Sequence, residues 1–208
     1  MTISDVIFYK NLGLQLKEIC GMEVSTPKQH HELFAEKIVE LERQQEMLTR
    51  RMKKLRYHMQ AVEMLEMLNA QPYQQTDIDT DCVVSFDLIE KDKLRRYIEN
   101  PYLYTRVQHS QSLPQEQRGI TVSANMSSSF PETSILWRKQ STQYMTFLMK
   151  EEVTTGFPND LSEHLAHIQE SYCTGAIISR FLLCAQENGK TYDFYKTFVE
   201  ILSDSVNK

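Results

Sequence analysis

The sequence lacks the patterns on which common enzyme sites are built. It contains no G-x-S-x-G motif, no glycine-rich loop that could hold a phosphate, and no cluster of residues at metal-ligand spacing. Asp77, Asp79 and Asp81 alternate as they would at the start of a calcium loop. Such a loop would also need glycine and glutamate where Cys82 and Leu88 stand, so a polar linker is the better interpretation. We therefore expect no enzymatic activity and no metal or other cofactor.

Long apolar runs, a signal peptide and paired cysteines are missing as well. No run approaches the roughly 18 apolar residues of a membrane span, and the N-terminus has neither the basic flank nor the apolar block of a signal peptide. The cysteines form no C-x-x-C pair, which indicates reduced thiols. The net charge of −5 argues against a protein that mainly coats nucleic acid. These features predict a cytoplasmic protein with no membrane partner.

Glycine and proline are absent from residues 28–70, so nothing there forces a helix to break. Apolar residues recur in this stretch in alternating steps of four and three, with only Gln45 out of pattern: Phe34, Ile38, Leu41, Leu48, Met52, Leu55, Met59 and Val62. The spacing averages about 3.5 residues, which keeps one stripe facing a partner helix in a left-handed coiled coil. We call these residues the seam and predict that they pair two copies of the chain. A long core helix of a bundle is the alternative.

The residues before the seam favour two short helices. Ser4 can cap a helix over Asp5–Asn11, and a second helix is predicted over Leu14–Cys20. Polar residues and Pro72 mark a second boundary after the seam. The chain then divides into four predicted parts: a helix pair over 1–26, a coiled-coil helix over 27–70, a linker over 71–81 and a C-terminal domain over 82–208.

The C-terminal domain changes to short β-like runs. They are Cys82–Ile89, Tyr102–Gln108, Gly119–Ser123, Ile135–Arg138, Tyr144–Lys150 and Ala176–Arg180. The fourth and fifth runs predict a hairpin, because only a polar stretch separates them. Apolar residues at helical spacing predict a final helix over Tyr192–Ser203. The fold class expected from this order is α+β, with an antiparallel sheet and packed helices.

The segment Ile7-Phe8-Tyr9-Lys10-Asn11-Leu12-Gly13-Leu14-Gln15-Leu16-Lys17-Glu18-Ile19 resembles the latter half of a MerR-family DNA-binding domain. The helix that follows is similar to the antiparallel dimerisation helix of that family, and the C-terminal domain resembles the GyrI-like effector-binding domain of its multidrug-sensing branch. The resemblance implies a homodimer that senses a small molecule and controls promoter DNA. It also implies a winged helix-turn-helix upstream of Ser4, which the sequence lacks, so we expect only salt-sensitive phosphate contacts to DNA.

Site residues follow from the same resemblance. Tyr9 and Lys10 take the positions at which the family contacts DNA phosphates. Aromatic residues are expected to line a pocket for a lipophilic or cationic ligand between the second and fifth β-like runs, with a glutamate for charge: Tyr97, Tyr102, Tyr104, Trp137, Tyr144, Phe147 and Glu151. The family's effector domain usually ends in a strand with a buried acidic residue. Because the sequence predicts a final helix instead, no residue is expected to take that role.

Two functions therefore stay open. The first is the ligand-sensing and dimerising portion of a MerR-like transcription regulator, in which effector binding favours one arrangement of the dimer. The second is a coiled-coil scaffold or adaptor without a ligand, which could pair with an intact relative. A cavity lined by aromatic residues would favour the sensor, since the scaffold does not need one.

Overall fold

The computed structural model describes residues 1–87, 91–113 and 115–204. It divides into two compact units, residues 1–53 and 54–208, and the division falls within the longest helix. The helices are α1 Ile3–Asn11, α2 Leu16–Met22, α3 Pro27–Ala70, α4 Lys91–Glu99, α5 Ala124–Ser127 and α6 Leu161–Gln169, with two short 3-10 helices at Pro101–Leu103 and Glu132–Ser134. The architecture is α+β, as the sequence predicts.

The first unit contains the predicted helix pair and the start of α3. Thr2, and not Ser4, caps α1: its hydroxyl accepts a hydrogen bond from the backbone N–H of Asp5, whose carboxylate accepts one from the Thr2 N–H at 2.7 Å. Gly13 follows α1 at a positive φ of 82°, which suits the turn into α2. A small core joins the three helices, with Leu14, Ile19 and Met22 at its centre.

The predicted long helix is confirmed as α3, which runs without interruption from Pro27 to Ala70. Most seam residues are exposed, in a part of α3 that is exposed on all sides over residues 41–56: Ile38, Leu41, Leu48, Met52, Leu55, Met59 and Val62. Phe34 differs, because it packs against the small core of the first unit. The single chain therefore leaves an apolar stripe uncovered along most of the seam.

In its described residues, the second unit is built on one antiparallel sheet of eight strands. The strands are β1 Gln74–Thr76, β2 Cys82–Ser85, β3 Tyr104–His109, β4 Gln117–Val122, β5 Ile135–Arg138, β6 Gln143–Glu152, β7 Tyr172–Glu187 and β8 Lys190–Asp204. Their order across the sheet is β1-β6-β8-β7-β3-β4-β2-β5. The two longest strands, β7 and β8, therefore lie near the centre.

The predicted C-terminal helix over Tyr192–Ser203 is wrong, because this segment belongs to β8. Asn188 and Gly189, with φ angles of 50° and 80°, form the tight turn that returns β7 into β8. β8 pairs with β7 on one side and β6 on the other, so apolar residues cover both of its faces. Tyr195, Phe198 and Val199 are all buried for this reason, and their spacing imitates a helix.

Other expectations for the C-terminal domain also need correction. The predicted hairpin is wrong, because β5 pairs with β2, whereas β6 pairs with β1 and β8. The segment expected to be a linker contributes β1, which pairs with β6. The first β-like run ends as a strand at Ser85, and Leu88 and Ile89 lie outside the described residues.

Both faces of the sheet are covered, and side chains of consecutive strand residues alternate between them. On one face, here called the α6 face, Leu165 and Ile168 pack against Phe147 and Val199. On the other, here called the α3 face, Ala61 and Leu68 of α3 lie in one apolar cluster with Leu148, Leu182 and Phe194. The two faces carry different sites.

Candidate ligand-binding cavity

A cavity of about 680 Å³ opens on the α6 face of the sheet. The central strands supply its floor, and the segments after β2, β3 and β6 supply its walls. Its lining residues are Phe86, Tyr97, Tyr104, Arg106, Gln108, Leu113, Glu116, Arg118, Glu151, Gly156, Phe157, Asn159, Phe181, Asp193 and Tyr195. Aromatic and charged side chains therefore make up most of the lining.

A buried ion pair lies at the centre of this floor. Arg106 on β3 donates from Nη1 and Nη2 to the two carboxylate oxygens of Glu151 on β6, at 2.6 and 2.7 Å. The two residues are only 7% and 3% exposed. Glu116 adds a third contact, 3.2 Å from Nη1. Glu151 is thus the opposite of a surface carboxylate, and its charge is already compensated inside the protein.

Tyr195 on β8 completes the environment of Arg106. Its hydroxyl accepts a hydrogen bond from Nη2, and the guanidinium lies 4.4 Å from the centre of its ring. Burial raises the pKa of Tyr195 well above its usual range, although the nearby Arg106 opposes the shift. Burial alone would lower the pKa of Arg106, but the hydrogen bond to Glu151 and the surrounding negative groups raise it instead. Both side chains therefore hold their protons at physiological pH.

Asp193 gives the lining of this cavity a net negative charge, because the other two carboxylates are paired with arginines. Arg118 pairs with Glu116 at 3.0 Å, and Arg106 pairs with Glu151. Among the residues that the structure describes, no cationic side chain lies within ion-pair distance of Asp193. Its partner in the register of β7 and β8 is Cys184, whose thiol pKa is raised by burial and, after that, by the Asp193 carboxylate. A positively charged group entering the cavity would therefore find its carboxylate at Asp193.

Aromatic rings form the apolar part of the lining. Tyr97 on α4 meets Tyr104 edge-on, with 6.2 Å between ring centres, and lies 5.9 Å from Phe86. Phe181 meets Tyr195 edge-on at 5.8 Å on the floor. These rings offer flat surfaces to a planar ligand.

Phe157 adds an unusual ring at the edge of the cavity. Its side chain is 55% exposed, and its φ of 44° is rare for a bulky residue. Gly156 beside it also has a positive φ, of 92°. The loop between β6 and α6 thus places an exposed ring where a ligand would enter.

The structure brings three of the seven predicted effector-site residues together, namely Tyr97, Tyr104 and Glu151. Trp137, Tyr144 and Phe147 lie in hydrophobic clusters and do not line this cavity. Tyr102 lines a separate groove on the α3 face. The expected position between the second and fifth β-like runs also needs revision, because β7 and β8 lie between β3 and β6.

The two residues predicted to contact DNA phosphates lie on α1 in the first unit. Lys10 is exposed, whereas Tyr9 is half-buried and stacks on Phe34 with 6.2 Å between ring centres. Lys10 is accessible to a phosphate. The ring of Tyr9 also has a packing role.

Sequence reasoning missed three of the polar cavity residues: Arg106, Asp193 and Tyr195. Arg106 is a lone charge within an apolar run, which was the available signal, since a charge on a buried strand needs a partner. Asp193 and Tyr195 fall in the segment predicted as the final helix, so their spacing alone does not place them on a sheet.

Comparison with family models finds no match for this chain, and comparison with curated proteins finds none either. In the described part of the chain, no three His, Cys, Asp or Glu side chains are grouped so that they could hold a metal ion. Nor does any helix in those ranges have the length and apolar character needed to span a membrane.

Proposed function

We propose that this chain is the ligand-sensing and dimerising portion of a MerR-like transcription regulator. The observation that carries the proposal is the cavity on the α6 face, which combines aromatic rings with Asp193, a carboxylate that has no cationic partner among the described residues. A scaffold protein has no need for such a cavity. Its volume of about 680 Å³ suits one small organic molecule.

The lining favours a planar, lipophilic cation as the ligand. Tyr97, Tyr104 and Phe181 supply faces for stacking and for cation–π contact. Glu151 cannot attract the ligand strongly, because Arg106 already neutralises it. Asp193 takes over this role, and it lies on β8, the last described strand. The segment predicted as a final helix is this strand, so Asp193 is a candidate for the acidic role that the sequence analysis assigns to no residue.

The exposed seam supports the proposed homodimer. Leu48, Leu55 and Met59 are 57%, 66% and 61% exposed in the single chain. Fully burying one such side chain stabilises a protein by about 1.5–3 kcal/mol. A second copy offers a seam of the same length and spacing, so antiparallel pairing would cover both. Ligand binding would then favour one arrangement of the dimer, and Lys10 with Tyr9 would contact DNA phosphates.

Titration with rhodamine 6G, a planar lipophilic cation, tests the cavity. We expect saturable binding to the wild-type protein in isothermal calorimetry. Tyr104→Ala should weaken binding several-fold, because one cation–π contact contributes about 0.5–2 kcal/mol. Tyr102→Ala is the matched control: it removes the same ring two residues away, but from the α3 face, and should leave the affinity unchanged.

The same titration tests the charge preference. Asp193→Asn should weaken rhodamine 6G binding and leave binding of a neutral aromatic analogue unchanged. Asp92→Asn, which removes an exposed carboxylate of α4 outside the cavity, controls for net charge. No binding of any probe below millimolar concentration would contradict the sensor and favour the scaffold. Equal loss in the Asp193 and Asp92 variants would contradict the role of Asp193.

A further inference from the structure

A second, smaller cavity lies on the α3 face of the sheet. Its volume is about 230 Å³, and we call it the Lys196 groove. Its lining residues are Tyr57, Gln60, Ala61, Met64, Asp79, Asn100, Tyr102, Arg180, Phe181, Leu182 and Lys196. Lys196 and Tyr195 are neighbours on β8, so their side chains lie on opposite faces and the two cavities are separate sites. Phe181, next to an irregularity in β7, lines both.

Positive charge exceeds negative charge in the Lys196 groove. Arg180 Nη1 and Lys196 Nζ contact the two oxygens of one carboxylate, Asp79, at 2.5 and 2.8 Å. Burial alone would raise the pKa of Asp79, but the two cations outweigh it and hold the pKa below its ordinary value. Two cations thus share one anion, which leaves a net charge of about +1 in a half-enclosed space.

The arrangement of these cations costs stability. Arg180 and Lys196 are direct partners in the register of β7 and β8, and like charges placed directly opposite each other on a sheet are destabilising. Their side chains are only 22% and 14% exposed, so solvent screens the repulsion incompletely. The Asp79 carboxylate offsets part of the repulsion between the two cations. A second anion bound beside them would offset the remainder.

The Lys196 groove also contains N–H groups of Arg180 that donate to no protein partner among the described residues. A guanidinium carries five N–H donors, and within the described ranges Arg180 uses only Nη1 for a protein partner. Lys196 donates to Asp79, and its ammonium lies 4.8 Å from the ring centre of Phe198. The rings of Tyr57 and Tyr102 meet beside these groups, with 6.4 Å between ring centres. Free donors, surplus positive charge and aromatic walls therefore occur together.

We propose that the Lys196 groove binds a small aromatic carboxylate. The planar guanidinium of Arg180 matches a carboxylate group, Lys196 supplies the second charge, and the ring would lie among Tyr57, Tyr102 and Met64. The volume admits a single ring with its acid group. Because Tyr57 and Met64 belong to α3, the bound acid would contact the same helix that carries the seam. This site does not depend on the cation-binding function proposed above.

Benzoate and benzamide, which differ in charge but hardly in shape, test the proposal. Amide chemical shifts of the full-length isotope-labelled protein should change saturably with benzoate and should include residues near Lys196. Benzamide should bind at least about tenfold more weakly, as expected for loss of a charge-assisted hydrogen bond. Lys196→Gln and Arg180→Gln should each reduce benzoate affinity about tenfold as well. Lys190→Gln, an exposed lysine of the same strand, is the control.

Three results would overturn the proposal: no saturable benzoate binding at millimolar concentration, equal affinity for benzoate and benzamide, or equal loss in the Lys196 and Lys190 variants. If Lys196→Gln fails to fold, the comparison of the two probes on wild-type protein still decides. Tyr102→Ala then serves as the second variant and should weaken benzoate binding. Rhodamine 6G binding in each variant is measured separately, so that failure of this site is distinguished from failure of the cavity on the α6 face.

Discussion

A Leu48→Asp/Leu55→Asp variant is expected to be a monomer at micromolar concentrations at which the wild-type protein is a dimer. The two side chains are exposed in the single chain, so the substitutions should leave its fold intact and act only on pairing. Each leucine contributes about 1.5–3 kcal/mol when buried, and about 1.4 kcal/mol changes a dissociation constant tenfold. The dimer should therefore weaken by several orders of magnitude in sedimentation experiments.

Arg50→Asp provides the control for this variant. It changes the net charge by the same amount and lies two residues from Leu48, away from the seam, on an exposed part of α3. We expect it to remain a dimer. Circular dichroism should show equal helix content in all three proteins. A monomeric wild type, or equal dissociation of the Arg50 variant, would contradict pairing through the seam.

Replacing Arg106 with methionine is expected to cause the largest loss of stability of any substitution in the cavity. It leaves Glu151 buried without its bidentate partner. It also removes the N–H group that donates a hydrogen bond to the Tyr195 hydroxyl. Breaking a buried ion pair in this way costs about 3–5 kcal/mol in the free energy of unfolding. Urea denaturation followed by circular dichroism, at one fixed protein concentration, measures the change.

The double variant Arg106→Met/Glu151→Leu distinguishes the cost of losing the whole ion pair from the cost of leaving Glu151 charged and unpaired. With both charges removed, the desolvation cost disappears, and we expect most of the lost stability to return. Arg118→Met, which removes an arginine from the exposed edge of the cavity, should change the free energy of unfolding by less than about 1 kcal/mol. A small effect of Arg106→Met would show that Glu151 is solvated, contrary to the structure.

The long helix could be predicted because its determinants are local. The absence of glycine and proline over residues 28–70, together with the seam, is enough to predict α3. The central strands could not be read in the same way. Phe198 and Val199 on β8 are both buried, because β6 and β7 flank the strand and both sheet faces are covered. Periodicity does not separate such a strand from a helix.

One local signal for β8 was nevertheless present. Asn188-Gly189 is a preferred sequence of two-residue hairpin turns, and apolar residues lie on both sides of it. A two-residue turn at this pair joins the segments on either side of it as a hairpin, which places Asp193 and Tyr195 on a strand. The turn chemistry at these two positions carried more information than the spacing of the residues that follow.

The candidate cavity was only partly predictable, because its residues meet through tertiary structure. Aromatic character in and near the β-like runs predicts Tyr97 and Tyr104 for the site, but it equally predicts Trp137 and Tyr144, which pack in the core. Alternation along a strand tells which residues share a face; it does not tell which face has a cavity. The pairing of Arg106 with Glu151 joins residues 45 positions apart and depends on the strand order.

A crystal structure of the wild-type protein with rhodamine 6G bound tests the central claim most directly. The proposal predicts the dye in the cavity on the α6 face, with its rings against Tyr104 and Phe181 and its cationic nitrogen near Asp193. The Arg106–Glu151 pair should stay intact beneath it. A dye bound elsewhere, for example along the seam, or a cavity that excludes the dye at saturating concentration, would contradict the claim that this cavity is the sensing site.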